Sequence, residues 1–157
     1  MKLILTTLVV SFILISTAKA DEFDCLVEAI YHEARSEDMI PMIAVANVIL
    51  NRVKHKKFPN TICEVVHQGK YWKDNPIRDK CHFSYWCDGK PERFTDIVGL
   101  IKSINVAEMS LKGIQIGKTS QATHYHAYYV TPMWALNSTF KVLGQLGTHI
   151  FYVDNSN

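Results

Sequence analysis

Apolar residues recur at helical spacing in the part of the chain that follows residue 20. Leu26 and Ile30 lie about one turn apart in the first such stretch. Asp24 is a residue type that caps helix starts, and we therefore expect a helix from Asp24 to about Arg35. This helix would bury one side and expose the other.

A second amphipathic stretch follows almost at once. Asp38 is placed to cap a helix that starts at about Met39, and this helix should stop before Phe58 and Pro59. The pattern predicts a buried stripe that consists of Ile43, Ala46, Leu50 and Val53. It is supported by Val45 and Ile49.

Two further helices are indicated by their start signals. Thr61 with Glu64 three residues later is typical of a capping box, and it predicts a short helix to about His67. A longer helix should start at Thr95 or Asp96. It should end near Leu111. Its predicted inner rows contain Ile97, Leu100 or Ile101, Ile104, and Ala107 or Glu108.

The remaining segments have a different character. Residues 68–93 are rich in charge, Gly and Pro, and we expect an irregular functional loop or small subdomain there. Short β-like stretches follow at 123–130, 140–143 and 149–153. Helices followed by a small antiparallel sheet near the carboxyl terminus predict an α+β fold that is mainly helical.

Residues 1–20 have the composition of a signal peptide. Lys2 gives a positive start, residues 3–15 are mainly apolar, and residues 18–20 form a small-x-small cleavage site. The apolar stretch is shorter than the roughly 20 residues that span a membrane. We therefore expect export to the periplasm or the cell wall, without stable membrane insertion, and one domain over residues 21–157.

Removal of this leader changes the charge balance. The loss of Lys2 and Lys19 leaves 15 Lys and Arg residues to balance 15 Asp and Glu residues. The only basic run that remains is residues 54–57, which should lie just past a helix end. The sequence therefore gives no indication of a nucleic-acid partner.

Four cysteines remain after the leader, and an even number in an exported chain predicts two disulfides. Three pairings are possible. Cys81 and Cys87 are close enough to close one loop, which would leave Cys25 with Cys63. The spacing of these cysteines does not match a standard zinc site.

Glu33 is the most chemically suggestive residue. It lies on a mostly apolar turn near the end of the first helix, where partial burial would raise its pKa. A carboxyl group that keeps its proton near neutral pH is a usable general acid.

Ordered blocks of sequence around Glu33 resemble one family. Residues 31–37 (YHEARSE) resemble the G-E-A-R-G-E signature of the SleB-type cell wall hydrolases, which include spore cortex-lytic enzymes. Further blocks with the same order as in that family are AVANVILNRV at 44–53, FPNTICEVV at 58–66, CHFSYWCDG at 81–89, ATHYHA at 122–127, residues 132–135 and GTHIFY at 147–152. The chain departs from the usual pattern at His32, Ser36 and His82.

The resemblance implies a lysozyme-like fold and cleavage of the β-1,4 linkage between N-acetylmuramic acid and N-acetylglucosamine in peptidoglycan strands. Several members are lytic transglycosylases, and the residue that matches their essential acid is Glu33. It implies no metal and no cofactor. The family's usual peptidoglycan-binding module is not seen, and His32, beside Glu33, could alter its proton affinity or crowd a sugar subsite.

A hydrolase normally uses a second carboxylate, whereas a transglycosylase needs only one acid. Glu37 is the candidate for this second role, but residues 36–38 look like a helix end, and Glu37 could instead cap the next helix or pair with an arginine. We expect Arg52 to support the Glu33 turn. The single-acid mechanism is favoured.

Several polar and aromatic residues are candidates for substrate binding. His124 and His126 should share one face of a strand and Tyr125 the other. Aromatic rings stack on sugars, which makes the aromatics of the loop and the carboxyl-terminal half candidates. The predicted substrate-binding residues are Ser84, Trp86, His124, Tyr125, His126 and Trp134.

Two other functions remain open. His124 and His126 could bind zinc with a third histidine, as in an exported wall amidase or peptidase, although no diagnostic zinc motif is present. A wall-binding module that has lost catalysis is the other alternative. The sequence leaves open the biological role, the oligomeric state and the choice between hydrolysis and transglycosylation.

Overall fold

The structure is a computed structural model that describes residues 21–156, and the predicted signal peptide lies outside this range. In the described chain α1 covers residues 21–34. The other helices are α2 (Met39–Lys54), α3 (Ile62–Val66) and α4 (Ile97–Leu111), and the strands are β1 (Gly69–Trp72), β2 (Asn75–Cys81), β3 (His124–Ala127), β4 (Phe140–Leu146) and β5 (His149–Asp154). None of the described helices is both long and apolar enough to cross a membrane.

Helix α2 lies at the centre of the fold. Every residue from Pro41 to Ile49 is buried, which is more than the predicted stripe, because α2 is surrounded by packed elements. Leu50 and Val53, which we placed in that stripe, are only partly buried. The buried core around α2 also takes side chains from the other helices and the sheet, among them Leu26, Ile30, Val65, Val106 and Phe151.

The helix starts agree with the sequence analysis in part. The Thr61 hydroxyl accepts a hydrogen bond from the backbone N–H of Glu64 at 3.2 Å, which confirms the capping box. Asp96 caps α4 by accepting from the N–H of Val98 at 3.0 Å. The prediction for Asp24 was wrong, because it lies inside a helix that already covers residues 21–23. Asp38 occupies the cap position of α2 without a side-chain hydrogen bond.

Helix α4 agrees with the predicted inner rows in part, since Leu100 and Ile104 pack partly buried against the core and Ala107 is fully buried. Ile97 and Ile101 are exposed, and the buried face consists mainly of small residues: Gly99, Ser103, Val106, Ala107 and Ser110. A Cβ placed on Gly99 would lie 2.6 Å from Oδ2 of Asp96 and 3.0 Å from the Cβ of Arg35, so glycine leaves room there for the cap of α4 and for the residue that follows α1.

Residues 68–93 are more regular than predicted. They contain an antiparallel hairpin of β1 and β2 followed by a short 3₁₀ helix at Ser84–Cys87. Most residues of the hairpin are exposed, so no alternation of apolar and polar residues marked it. The disulfide Cys81–Cys87 closes this segment, and Cys25–Cys63 joins α1 to α3, as the sequence analysis favoured.

The second sheet has the antiparallel strand order β3-β5-β4. Tyr125 pairs with Phe151 and His126 with Ile150. Because successive residues of a strand face opposite sides of the sheet, Tyr125 faces one side and His126 the other. Strand β4 continues past the predicted end at residue 143 through an irregularity between Val142 and Gly144. The predicted α+β architecture is thus confirmed.

Candidate active site

Glu33 lies in the last turn of α1, in the wall of an open cleft of about 790 Å³. The carboxyl group is largely withdrawn from solvent, although the residue as a whole is only partly buried. Burial raises the pKa of Glu33 because the charged form loses hydration. The carboxyl group therefore combines access to the cleft with the environment of a general acid.

Tyr125, on β3, contacts Glu33 directly. Its hydroxyl donates a hydrogen bond to Oε2 of Glu33 at 2.9 Å. This bond favours the ionised carboxylate, so it opposes the effect of burial on the pKa of Glu33, but burial is the larger effect. Burial and the nearby Glu33 carboxylate raise the pKa of Tyr125 well above its ordinary value, so the hydroxyl remains a donor.

Polar residues on α2 hold the segment that leads into β3. The Asn51 side-chain amide donates to the carbonyls of Ser120 and Ala122, each at 2.8 Å. The Arg52 Nε donates to the carbonyl of Thr123 at 2.7 Å. These bonds fix the start of β3 and thereby set the position of Tyr125 two residues later.

Arg52 also contributes charge to the cleft wall. It is buried, and its guanidinium lies over the rings of Phe58 and Phe83 at 5.0 and 5.1 Å from their centroids. Burial lowers the pKa of Arg52 to about 10, so the side chain stays a cation at neutral pH. Its charge favours the ionised form of Glu33.

Glu37 has a structural position. Its carboxylate accepts hydrogen bonds from the backbone N–H of Thr148, at 3.3 Å, and from the Thr148 hydroxyl. The backbone carbonyl of Glu37 accepts from the Lys102 ammonium at 2.9 Å. Glu37 therefore joins the end of α1 to the β4–β5 turn and to α4, and it does not line the cleft.

His32 lines the cleft beside Glu33. Its ring stacks on Tyr85, with 4.8 Å between centroids and 11° between planes, and meets the Tyr31 ring edge-on at 5.1 Å. Burial, with the nearby Arg35 cation, lowers the pKa of His32. The residue that departs from the family pattern is thus an uncharged ring packed into the cleft wall at neutral pH.

The predicted substrate-binding residues separate into two groups. Ser84, Tyr125 and His126 line the cleft. The other three lie elsewhere: Trp86 stacks on His67 at 3.6 Å, and His124 packs against Trp134 at 5.2 Å. Trp86 also donates to the Tyr71 hydroxyl at 2.9 Å, so its ring and its N–H are both engaged in the hairpin region.

The cleft has a charged wall that the sequence analysis did not single out. The segment after Cys87 supplies several charged side chains and is mostly exposed. Only its position after the disulfide-closed loop could have indicated this role. Its charged lining residues are Asp88, Lys90, Glu92 and Arg93, and Arg35 joins them from the end of α1.

The histidines of β3 are engaged with protein groups. Nδ1 and Nε2 of His126 lie 2.9 Å from the Ala127 carbonyl and 2.8 Å from the Tyr152 hydroxyl. Nδ1 of His124 lies 3.0 Å from the Thr123 hydroxyl. Within residues 21–156 no three His, Cys, Asp or Glu side chains are grouped as metal ligands would be.

Comparison with known proteins agrees with this architecture. The family model described as Cell Wall Hydrolase matches residues 36–152, about three quarters of the chain. The chain belongs to this cell wall hydrolase family. Glu33 lies three residues before the matched range, so its role depends on the geometry of the cleft and on the sequence blocks around it.

Two solved structures share the fold of this cell wall hydrolase. The catalytic domain of the Bacillus cereus SleB protein is 24% identical, with a TM-score of 0.58 over 85% of this chain and 90% of that domain. The catalytic domain of the germination-specific lytic transglycosylase SleB from Bacillus anthracis is 23% identical, with a TM-score of 0.57 over 83% of this chain and 93% of that domain.

A local sequence match adds a further relative. The spore cortex-lytic enzyme of Bacillus cereus is 40% identical over 48 residues. This match covers 31% of this chain and 18% of the relative. The shared stretch is therefore a small part of that longer protein.

Proposed function

We propose that this cell wall hydrolase is a lytic transglycosylase that cleaves the β-1,4 linkage between N-acetylmuramic acid and N-acetylglucosamine in peptidoglycan. The observation that carries the proposal is the buried Glu33 carboxyl group in the wall of an open cleft, with its pKa raised by burial. The Bacillus anthracis relative is a lytic transglycosylase, which supports the same type of reaction here.

Glu33 acts in both halves of the reaction. Its protonated carboxyl group gives its proton to the glycosidic oxygen as the bond from that oxygen to muramyl C1 breaks, which releases the neighbouring sugar. The C6 hydroxyl of the muramyl residue then attacks C1 and forms a 1,6-anhydro ring. The Glu33 carboxylate takes the proton from that hydroxyl, so the acid is regenerated and no water is consumed.

Tyr125 and Arg52 favour the ionised state that Glu33 passes through. Tyr125 donates to the carboxylate, and the Arg52 cation lies in the same cleft. Ser84 and His126, in the cleft walls, are proposed contacts for the sugar strand. Trp86, His124 and Trp134 are left out of the proposed contacts because none of them lines the cleft.

Digestion of purified peptidoglycan sacculi tests the proposal. Mass spectrometry should find products that end in 1,6-anhydromuramic acid, whereas reducing ends would indicate hydrolysis and released stem peptides would indicate an amidase. Glu33→Gln should lose activity by a factor of at least about 100, because general acid–base catalysis supplies about that much. Glu108→Gln, an exposed position on α4, is the matched control. Activity retained by Glu33→Gln would contradict the assignment.

We also propose that residues 1–20 direct export and that the domain acts in the periplasm or cell wall. Both disulfides support this location, because such bonds persist mainly in oxidising compartments. Amino-terminal sequencing of the protein recovered from cell fractions should find Asp21 as the first residue. An uncleaved cytoplasmic protein would contradict the proposal.

A further inference from the structure

The Arg52 guanidinium is held firmly along one edge only. The side chain is 6% exposed, lies between the rings of Phe58 and Phe83, and donates from Nε to the Thr123 carbonyl at 2.7 Å. This arrangement leaves little freedom for the planar group. The position of its remaining N–H groups is therefore set by the fold.

Those remaining N–H groups have no acceptor in the part of the chain that the structure describes. Among residues 21–156, the Nε bond is the only hydrogen bond of the guanidinium, and no carboxylate lies within 4.0 Å of it. Nη1 is fully buried without a partner. Nη1 is enclosed by protein, so Nη2 is the group that a molecule in the cleft can reach, and an acceptor bonded there would supply part of the hydrogen bonding that the guanidinium lacks.

The cleft is where such an acceptor would come from. Arg52, Glu33 and Tyr125 all line it, and the Arg52 charge is close enough to influence the protonation of the other two. A second anion beside Glu33 would compete with the ionised carboxylate of the second half-reaction. A neutral carbonyl oxygen satisfies the donors without this repulsion.

We propose that Arg52 is a substrate-binding residue that donates a hydrogen bond to the carbonyl oxygen of a sugar N-acetyl group beside the scissile linkage. The inference rests on the proposed function, because every sugar of that strand carries such a group. Arg52 then has two roles: Nε positions β3, and the free edge of the guanidinium recognises the acetamido group.

The test combines two substrates with two variants. Purified sacculi are compared with sacculi whose amino sugars have been chemically de-N-acetylated, and re-acetylated material controls for damage to the strands. Arg52→Gln removes the charge, and Arg52→Lys keeps a charge but loses the planar set of donors. Arg78→Gln, an exposed position on β2, is the matched control. Circular dichroism selects temperatures at which every variant is folded.

The ratio of kcat/KM on the two substrates is the readout. The wild type and Arg78→Gln should prefer the acetylated strand by about 10- to 100-fold, as expected for one hydrogen bond to a charged group. Both Arg52 variants should lose this preference to within about threefold. A merely structural role would lower both rates together and keep the ratio, which would overturn the inference.

Two other outcomes are equally informative. Retention of the preference by Arg52→Lys would assign it to charge alone and would also overturn the hydrogen bond to the acetyl group. Absence of a preference in an active wild type would do the same. If the wild type cleaves neither substrate, the proposed function itself fails, so the two failures are distinguishable.

Discussion

Replacement of Tyr125 by phenylalanine removes a single hydroxyl from the cleft and leaves the ring in place. That hydroxyl donates to Oε2 of Glu33 at 2.9 Å, and partial burial raises the pKa of both groups. The loss of this donor should destabilise the carboxylate more than the neutral acid. The pKa of Glu33, already raised by burial, should therefore rise further.

The magnitude follows from the type of bond. A hydrogen bond to a charged group contributes about 1.5–3 kcal/mol, and one pKa unit corresponds to about 1.36 kcal/mol. The pKa of Glu33 should therefore rise by about one to two units in Tyr125→Phe. Both residues are partly buried, so solvent should screen this hydrogen bond less than it screens one on the protein surface.

The pH dependence of kcat/KM on solubilised glycan strands reports this change. Glu33 must be protonated in the free enzyme to act as an acid, so the alkaline limb of the profile should move to higher pH by the same one to two units. A ¹³C NMR titration of the Glu33 carboxyl carbon measures the pKa directly. Both measurements should agree in direction.

Tyr71→Phe is the matched control. The Tyr71 hydroxyl donates to the His67 carbonyl at 2.7 Å and accepts from Trp86, but it does not line the cleft. Its removal should leave the alkaline limb unchanged. An unchanged or lowered pKa of Glu33 in a folded Tyr125→Phe variant would refute the electrostatic role of Tyr125.

Three further predictions concern the stability of the fold and the number of catalytic carboxylates in the cleft. Because the folded-state pKa of Glu33 is raised, the free energy of unfolding of the wild type should fall as pH rises above about 4.5. Urea unfolding at several pH values should show that Glu33→Gln gains stability relative to the wild type over that range. A difference that stays constant with pH would argue against burial of the Glu33 charge. Gly147→Ala should lower the free energy of unfolding by about 2–4 kcal/mol in urea, because a Cβ there meets the Glu37 carboxylate and φ is +55°. Gly113→Ala, at φ +93° with no atom within 4 Å of its Cβ, should lose only about 1 kcal/mol. Equal losses in the two variants would contradict the steric argument. Asp88→Asn and Glu92→Gln should each keep 1,6-anhydro products and lose less than about tenfold in kcat/KM, and a loss of about 100-fold or more would reveal a second catalytic carboxylate.

Local signals in the sequence predicted much of the framework. The Thr61 and Asp96 caps act through side chains within three residues, and the short spacing of Cys81 and Cys87 favoured their pairing. The prediction that Asp24 caps α1 failed because it also used only local information. The residue type at a cap does not show whether the helix has already begun. Such signals are reliable only where the neighbouring residues settle the competing possibilities.

The inner face of α4 could be obtained only in part from apolar spacing, which indicated Leu100, Ile104 and Ala107 correctly. Ile97 and Ile101 have the right character for a core, yet they are exposed, whereas small residues such as Ser103 and Ala107 are fully buried. The fit of Gly99 against Arg35 is a tertiary property, and the sequence of α4 alone does not contain it. The exposed β1–β2 hairpin was missed for the related reason that neither of its faces has to be apolar.

The candidate site was only partly predictable for a similar reason. Glu33 could be selected from one turn of helix, because its chemistry depends on a local apolar environment. Tyr125 was predicted only to lie on one face of a strand. Its hydrogen bond to Glu33 joins residues that are 92 positions apart in the sequence. Trp86 and Trp134 were chosen for their stacking chemistry, but their partners in the fold are His67 and His124.

The placement of the carboxylates bears on the choice between hydrolysis and transglycosylation. A second catalytic carboxylate must be held at a defined distance from the first. Glu37 is engaged with Thr148 outside the cleft, and Glu28 does not line the cleft either. The two remaining acidic residues of the cleft wall, Asp88 and Glu92, lie on the mostly exposed segment after the disulfide. Glu33 is thus the acidic cleft residue that lies on a helix and whose pKa is raised by burial, which suits a mechanism in which one glutamate is first the acid and then the base.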